Sequence, residues 1–184
     1  VFKYHDRDSD GVYDGGGYPG CDEPVKGWMF TISGPGVTDA VAYTDAYGYA
    51  YFRVVRAGTY VITEEDQAGW VHVSPSSGTL ETSVSSGDRP EALMFGNFQL
   101  VRIWVFKYDD ILANGWYCPD EGDVPIEGWM FELYLMVDDE WVLVDVNYTD
   151  EDGYASFLID QAGFYMIKEE LQVGWRCITH EDGS

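Results

Sequence analysis

Four aspartates within nine residues, Asp6, Asp8, Asp10 and Asp14, form the densest group of chemically competent side chains in the sequence. They stand at positions 1, 3, 5 and 9 of a loop of the calcium-wrapping kind. Gly11 falls at position 6, where such a loop turns sharply, and Val12 at position 7 would offer its backbone carbonyl. Alternate spacing lets the carboxylates converge on one ion, and a flexible cage of oxygens suits calcium better than magnesium. The competing reading is a solvated acidic loop, but carboxylates this crowded repel one another unless a cation neutralises them. A second loop offers Asp109, Asp110, Asn114, Asp120, Glu121 and Asp123, with the alternation broken by Ile111, Leu112 and Ala113. There calcium and a plain acidic loop stand level.

The elements that hold these loops recur. VFKY at residues 1–4 returns at 105–108, and GWMF at 27–30 returns at 128–131. YTDAYGYAYF at 43–52 matches YTDEDGYASF at 148–157, and AGTYVITEEDQAGW at 57–70 matches AGFYMIKEELQVGW at 162–175. Four blocks in the same order define two tandem copies, residues 1–100 and 101–184. Within the blocks apolar and polar residues alternate with the period of two of a half-buried strand, and Gly-containing turns separate them. The spacing predicts strands at 1–5, 26–33, 39–44, 49–55, 58–65, 70–74, 79–84 and 91–96 of copy one, an all-β sandwich with almost no helix. FQLVRIWVFKY, residues 98–108, reads as strand throughout, so a continuous strand rather than a Gly/Ser tether is expected to join the copies. Ser184 aligns with Thr79, leaving residues 80–100 without a counterpart. Either the sequence is an excerpt of a longer array, or a neighbouring subunit adds the strand that completes the sheet.

Composition narrows the partners. Thirty-three acidic against ten basic residues give a net charge of −23, which repels nucleic-acid backbones and anionic membrane surfaces and attracts cations. No apolar run is long enough to span a membrane, and Val1 opens directly into strand-like sequence with no signal-peptide pattern, as in a mature or excerpted segment. Of three cysteines, Cys118 and Cys177 are the one pair within a single copy, a candidate disulfide in oxidising surroundings that leaves Cys21 for an intermolecular bond. Asn147 heads an N-glycosylation sequon. His5, His72 and His180 are scattered, without the spacing of a catalytic triad or metal site. Trp28, Trp129, Trp70 and Trp175 recur at equivalent positions, as core residues would; Trp104, Trp116 and Trp141 do not, and are either interface packing or a carbohydrate-stacking surface.

The motif order resembles the calcium-binding B repeats of prokaryotic surface proteins, the SdrD-B or Cna-B-like prealbumin-type sandwiches. The residues that carry it are Lys3-Tyr4-x-Asp6-x-Asp8-x-Asp10-Gly11, Glu23-Pro24-Val25-Lys26-Gly27-Trp28, Thr44-Asp45-x-x-Gly48-Tyr49, Ala57-Gly58-x-Tyr60-x-x-x-Glu64, Gly69-Trp70 and Phe95-Gly96-Asn97. The resemblance implies Greek-key sandwiches at the cell surface or outside the cell, stiffened by calcium, without catalysis. They would serve as the stalk or filament of a larger assembly built through neighbouring repeats. The alternative role is an adhesive or glycan-binding module. The resemblance also implies that Glu23, or Asp22 beside it, closes the first calcium shell, since Gly17 stands at position 12. Related domains place an isopeptide lysine where Lys3 and Lys107 lie, an assisting acid at Glu64 and Glu169, and its third member at Asn97. The variant most similar to this chain relies on calcium instead, which makes an ordinary Lys3–Glu64 ion pair the expectation.

Overall fold

The computed structural model describes residues 1–18 and 20–178, and their regular secondary structure is almost entirely β-strand. The chain divides into two compact units, Val1–Leu100 with Asp160–Ala162, and Val101–Ile159 with the residues from Gly163 on.

Unit 1 is a sandwich of two four-stranded sheets. Its strands are β1 (Phe2–His5), β2 (Glu23–Pro24), β3 (Met29–Gly34), β4 (Val37–Tyr43), β5 (Gly58–Glu64), β6 (Trp70–Ser74), β7 (Thr79–Val84) and β8 (Met94–Gln99). One sheet runs β2-β1-β8-β6 and the other β4-β3-β5-β7. The first and last strands lie side by side in parallel, Lys3 opposite Phe95 and His5 opposite Asn97; the other pairings are antiparallel. Alternation puts Phe30 and Ile32 of β3, Tyr60 and Ile62 of β5, and Phe95 of β8 into one core with Trp28 and Ala50. A fully buried Phe such as Phe95 contributes about 2–3 kcal/mol. The same alternation carries Glu64 and Asn97 inward, because each stands two residues beyond a core position of its strand. Period-two geometry thus delivers polar groups into an apolar interior.

A latch common to both units fixes the strand that bears the lysine. Thr44 Oγ1 accepts from the Trp28 N–H (2.8 Å) and donates to the Val25 carbonyl (2.7 Å), and Thr149 repeats both bonds with Trp129 (2.9 Å) and Ile126 (2.6 Å). Asp45 Oδ1 accepts from the N–H groups of Tyr47 and Tyr49, closing the turn that holds Gly48. Gly48 has φ +79°, and a Cβ there would sit 2.5 Å from the Lys3 carbonyl oxygen; Gly153 has φ +80° and the same 2.5 Å relation to Lys107. Only glycine permits this approach, across which the Lys3 N–H donates to the Gly48 carbonyl at 2.8 Å.

Unit 2 comprises β9 (Val101–Phe106), β10 (Tyr108–Asp109), a 3-10 turn (Pro119–Glu121), β11 (Val124–Pro125), β12 (Met130–Val137), β13 (Glu140–Tyr148), β14 (Tyr154–Ile159) and β15 (Tyr165–Glu169). Its ladders are β13-β12-β15, β14-β9 and β10-β11. Trp129, Phe131, Leu133, Leu135, Ala155, Phe157 and Ile159 are buried. Beyond β15 the described residues form no strand.

Two expectations need correction. The strand expected at 49–55 is reduced to one bridge, Tyr49 opposite Phe2, although the equivalent β14 is fully formed. A strand needs a partner: β14 has β9 along its length, whereas in unit 1 only Val1 and Phe2 reach that edge. The expected continuous strand at 98–108 is interrupted at Leu100, whose N–H bonds the Gly69 carbonyl (2.8 Å), and at Lys107, whose N–H bonds the Gly153 carbonyl.

Candidate functional site

The acidic loop leaves β1 at Asp6, whose backbone N–H bonds the Asn97 carbonyl (2.9 Å), so its side chain is fixed by the β1–β8 ladder. That side chain is fully buried. Oδ2 accepts from the Gly11 N–H at 2.8 Å, while Oδ1 is buried with no hydrogen-bond partner among the described residues. Asp8 and Asp10 close over it, and one carboxylate oxygen from each of Asp6, Asp8 and Asp10 lies within 4.8 Å of the other two. Oxygens around one calcium ion at about 2.3–2.6 Å span up to about 5 Å, so the set fits that ion. Burial raises the Asp6 pKa, and the neighbouring Asp22 and Asp8 charges add to the rise.

The remaining first-loop residues are arranged differently from expectation. Asp14 and Asp22 bind each other's backbone, Asp14 Oδ1 accepting from the Asp22 N–H and Asp22 Oδ2 from the Asp14 N–H, both at 3.3 Å. Val12 is exposed, and its N–H caps Asp10 Oδ1 (2.7 Å). Glu23 faces away, paired with Arg7 at 2.9 Å, because its place in β2 turns it to solvent. The buried acid is Asp22, whose Oδ1 accepts from the Arg7 N–H (2.9 Å). In the second loop the acids are consumed locally. Asp110 accepts from the N–H groups of Asn114 and Gly115, and Asp123 from those of Ile111 and Cys118. Asn114 Nδ2 donates to Glu121 (2.7 Å), Asp109 lies in β10, and Asp120 sits exposed on the 3-10 turn. Among the described residues the one three-acid cluster able to hold a metal is Asp6, Asp8 and Asp10.

The interior holds a second constellation. Lys3 and Glu64 are side-chain buried to zero exposure and their charged atoms lie 3.0 Å apart. Lys3 Nζ sits 4.4 Å from the Trp28 ring and donates to the Phe95 carbonyl at 3.4 Å. Burial drives the Lys3 pKa down to about 8 against the opposing pull of Glu64, and burial likewise raises that of Glu64. His72 Nε2 reaches Glu64 Oε1 at 3.4 Å from β6. Asn97 arrives on β8, 1% exposed, with both its side-chain oxygen and nitrogen buried and lacking hydrogen-bond partners. An ion pair alone leaves that carboxamide unexplained, since each orphaned polar atom costs about 1–3 kcal/mol. Unit 2 repeats the pair, Lys107 to Glu169 at 2.8 Å and Lys107 over Trp129 at 4.4 Å, in a more hydrated setting of 14% and 24% side-chain exposure. It has no described counterpart of Asn97.

The other candidates are separated. No disulfide joins Cys118 to Cys177: Cys118 is pinned by Asp123 at the 3-10 turn, whereas Cys177 lines a cleft beside β10. Asn147 lies in β13 with Nδ2 donating to the Ser156 carbonyl (2.7 Å), so the nitrogen a glycan would need is engaged. Trp28 and Trp129 are core residues, each meeting Trp70 or Trp175 edge to face at 5.3 and 5.2 Å. Trp104, Trp116 and Trp141 are exposed on unit 2. His180 lies outside the described residues. Sequence reasoning missed the Thr44 and Thr149 latches, although both threonines sit in a repeated block that could have signalled them.

No family profile and no curated protein matches the sequence. Among solved structures the chain is similar to the TIE protein of Bacillus anthracis (22% identity, TM-score 0.40), with 81% of this chain covering 26% of that one. It is also similar to the minor pilin GBS52 of Streptococcus agalactiae (16%, TM-score 0.37; 95% of this chain, 84% of that). A third likeness is the shaft pilin SpaA of Lactobacillus rhamnosus GG (16%, TM-score 0.35; 95% and 88%).

Proposed function

We propose that the chain is a load-bearing structural module of an extracellular filament or stalk, its first unit stiffened by calcium and by a lysine–asparagine amide. The observation that carries this reading is the buried Lys3–Glu64 pair on β1 and β5 together with Asn97, buried on the adjoining strand β8 with both polar side-chain atoms unpartnered. The neutral Lys3 amine attacks Cγ of Asn97, and Glu64 takes the amine proton and passes it to the departing nitrogen. A C–N bond to Nζ replaces the original C–N bond, and ammonia leaves. Burial supplies the neutral amine, because the Lys3 pKa of about 8 brings the uncharged form within reach at mild pH. The link would join the first strand to the last, so tension entering at Val1 and leaving at Leu100 would bypass the residues between them.

Calcium at Asp6, Asp8 and Asp10, with Asp22 behind them, would lock the loop leaving the same strand. The unpartnered buried Asp6 oxygen supports it. Millimolar calcium outside cells suits a site with so few charged donors. Single-molecule stretching tests the mechanical reading. Lys3 and Asn97 are 94 positions apart, so an uncrosslinked unit 1 would lengthen by about 310–340 Å on unfolding. The expected trace lacks that step, and its appearance in the wild-type protein would overturn the reading.

A further inference from the structure

The amide-forming step needs Lys3 uncharged and Glu64 ionised at the same moment. A lysine ammonium that hands its proton to Glu64 becomes a nucleophile but spends its base, so one proton has to leave the pair before the attack. The two oxygens of Glu64 face different ways. Oε2 meets Lys3 Nζ at 3.0 Å, and Oε1 meets His72 Nε2 at 3.4 Å. The same Nε2 lies 3.2 Å from Oδ1 of Asp66. Side-chain exposure rises along that line, from 0% at Glu64 through 18% at His72 to 94% at Asp66. The sequence carboxylate, imidazole, surface acid leads from the dry interior to water.

Local structure fixes the imidazole in that line. His72 stands on β6 opposite Asn97 of β8, so cross-strand pairing turns both side chains to one face of the sheet. The turn after β6 comes back to the same place: the Glu64 N–H donates to the Gly78 carbonyl (2.9 Å), and a Cβ on Gly78 would strike the His72 ring. Unit 2 differs. The matched blocks 57–70 and 162–175 align Glu64 with Glu169, and the same spacing puts Leu171 in the place of Asp66 and Cys177 in that of His72. Its Lys107–Glu169 pair meets solvent directly, whereas the sealed pair of unit 1 has a histidine and an acid leading outward.

We propose that His72 is a positioning residue acting through Glu64: it carries the surplus proton of the Lys3–Glu64 pair to Asp66 and so to solvent. This rests on the reading that Lys3 and Asn97 form an amide, and deepens it by naming the proton's exit. Glu64 accepts the proton from Lys3 Nζ and, its carboxyl turned half round, releases it to Nε2 of the neutral imidazole. The imidazolium passes it to the Asp66 carboxylate, which loses it to water. Lys3 is then an amine, Glu64 a carboxylate and His72 neutral again, and the attack on Asn97 proceeds with ammonia as the leaving group. Burial, which raises the Glu64 pKa and lowers that of Lys3 to about 8, favours the first transfer. The charged groups that reach His72 among the described residues are Glu64 at the end of β5 and Asp66 in the loop after it; β8 presents the neutral Asn97.

The test follows ammonia loss by intact mass on the 184-residue chain, assembled by chemical ligation in denaturant so that no link precedes refolding, and diluted into buffers from about pH 5 to about pH 8. Wild-type linking is expected to accelerate across that range. His72→Gln should link about tenfold or more slowly and without that rise, and His72→Ala should be accelerated by added imidazole but not by sodium chloride of equal ionic strength. Asp66→Asn, a change in solvent that leaves folding untroubled, should slow linking about threefold and decides the matter if the His72 variants fail to fold. Wild-type rates and pH profile in His72→Gln or in Asp66→Asn overturn the relay and leave the amide standing. A slow His72→Gln that keeps the wild-type profile, with no response of His72→Ala to imidazole, assigns the histidine to packing and overturns the relay as well. Wild-type protein that never loses ammonia overturns the amide itself.

Discussion

Replacing Glu64 by Gln keeps the shape of the side chain and removes the base that the amide-forming step needs. In the wild-type protein Lys3 and Glu64 stand 3.0 Å apart without solvent contact, so no water substitutes for the lost carboxylate. A link between positions 3 and 97 closes a loop of 94 residues, and by the chain-entropy relation for cross-links that contributes about 4.7 kcal/mol. For a unit of this size each kcal/mol moves the melting midpoint by about 4–8 °C, so Glu64→Gln lowers that of unit 1 by about 20 °C or more. An uncompensated buried ammonium adds about 3–5 kcal/mol if Lys3 stays charged. Intact-mass measurement separates the contributions. Wild-type protein is expected about 17 Da below its sequence mass, the ammonia lost, and the variant at its own sequence mass. A wild-type mass equal to the sequence mass refutes the amide and leaves a buried ion pair. A variant that still loses ammonia refutes the role given to Glu64.

Chelation should destabilise unit 1, since an ion at 100 times its Kd contributes about 2.7 kcal/mol to the folded state; identical melts before and after verified metal removal would count against the site. Without calcium, stability should fall as pH rises above the ordinary carboxylate range. Burial raises the pKa values of Asp6 and Asp22, so the folded state holds protons that the unfolded chain has released. Saturating calcium favours the charged carboxylates and should abolish that decline, and a pH profile indifferent to calcium would contradict the assignment. Thr44→Val removes two hydrogen bonds of 2.8 and 2.7 Å in a buried latch and should cost unit 1 about 2–3 kcal/mol in urea unfolding. A change below about 0.5 kcal/mol would show that the latch is dispensable.

Most of the strand plan of unit 1 was legible because alternation and turn glycines are local signals: β1 and β3 to β8 stand close to where the spacing puts them. The failure at 49–55 is instructive for the opposite reason. YAYFRVV has the composition of a strand, but a strand is completed by hydrogen bonds to another, and no local pattern reports whether that partner is present. The acidic loop was legible as a cluster, not as a ligand set. Spacing treated Asp14 as equivalent to Asp6, whereas the reciprocal bonds of Asp14 with Asp22 depend on how the glycine-rich insertion folds back. Resemblance supplied Lys3, Glu64 and Asn97; their polarity at core-facing positions was visible in the alternation, but the desolvation that alters their chemistry depends on strands distant in sequence.

That dependence bears on how the proposed link would be controlled. A lysine on an exposed β1 would hold its proton at neutral pH and could not attack a carboxamide. β8, the parallel neighbour of β1, helps to enclose Lys3, whose Nζ donates to the Phe95 carbonyl, and β8 is also the strand that brings Asn97. Desolvation of the nucleophile and delivery of the electrophile are therefore one event, the closure of the sheet. Until β8 docks, the amine is charged and its target absent; once it docks in register, both conditions hold together. A β8 shifted by one residue would turn Asn97 outward and Gly96 or Phe98 inward, so the misregistered strand would present no carboxamide to the lysine. The reaction would thus record correct folding of unit 1, and the link would make permanent only the register that the rest of the core selects.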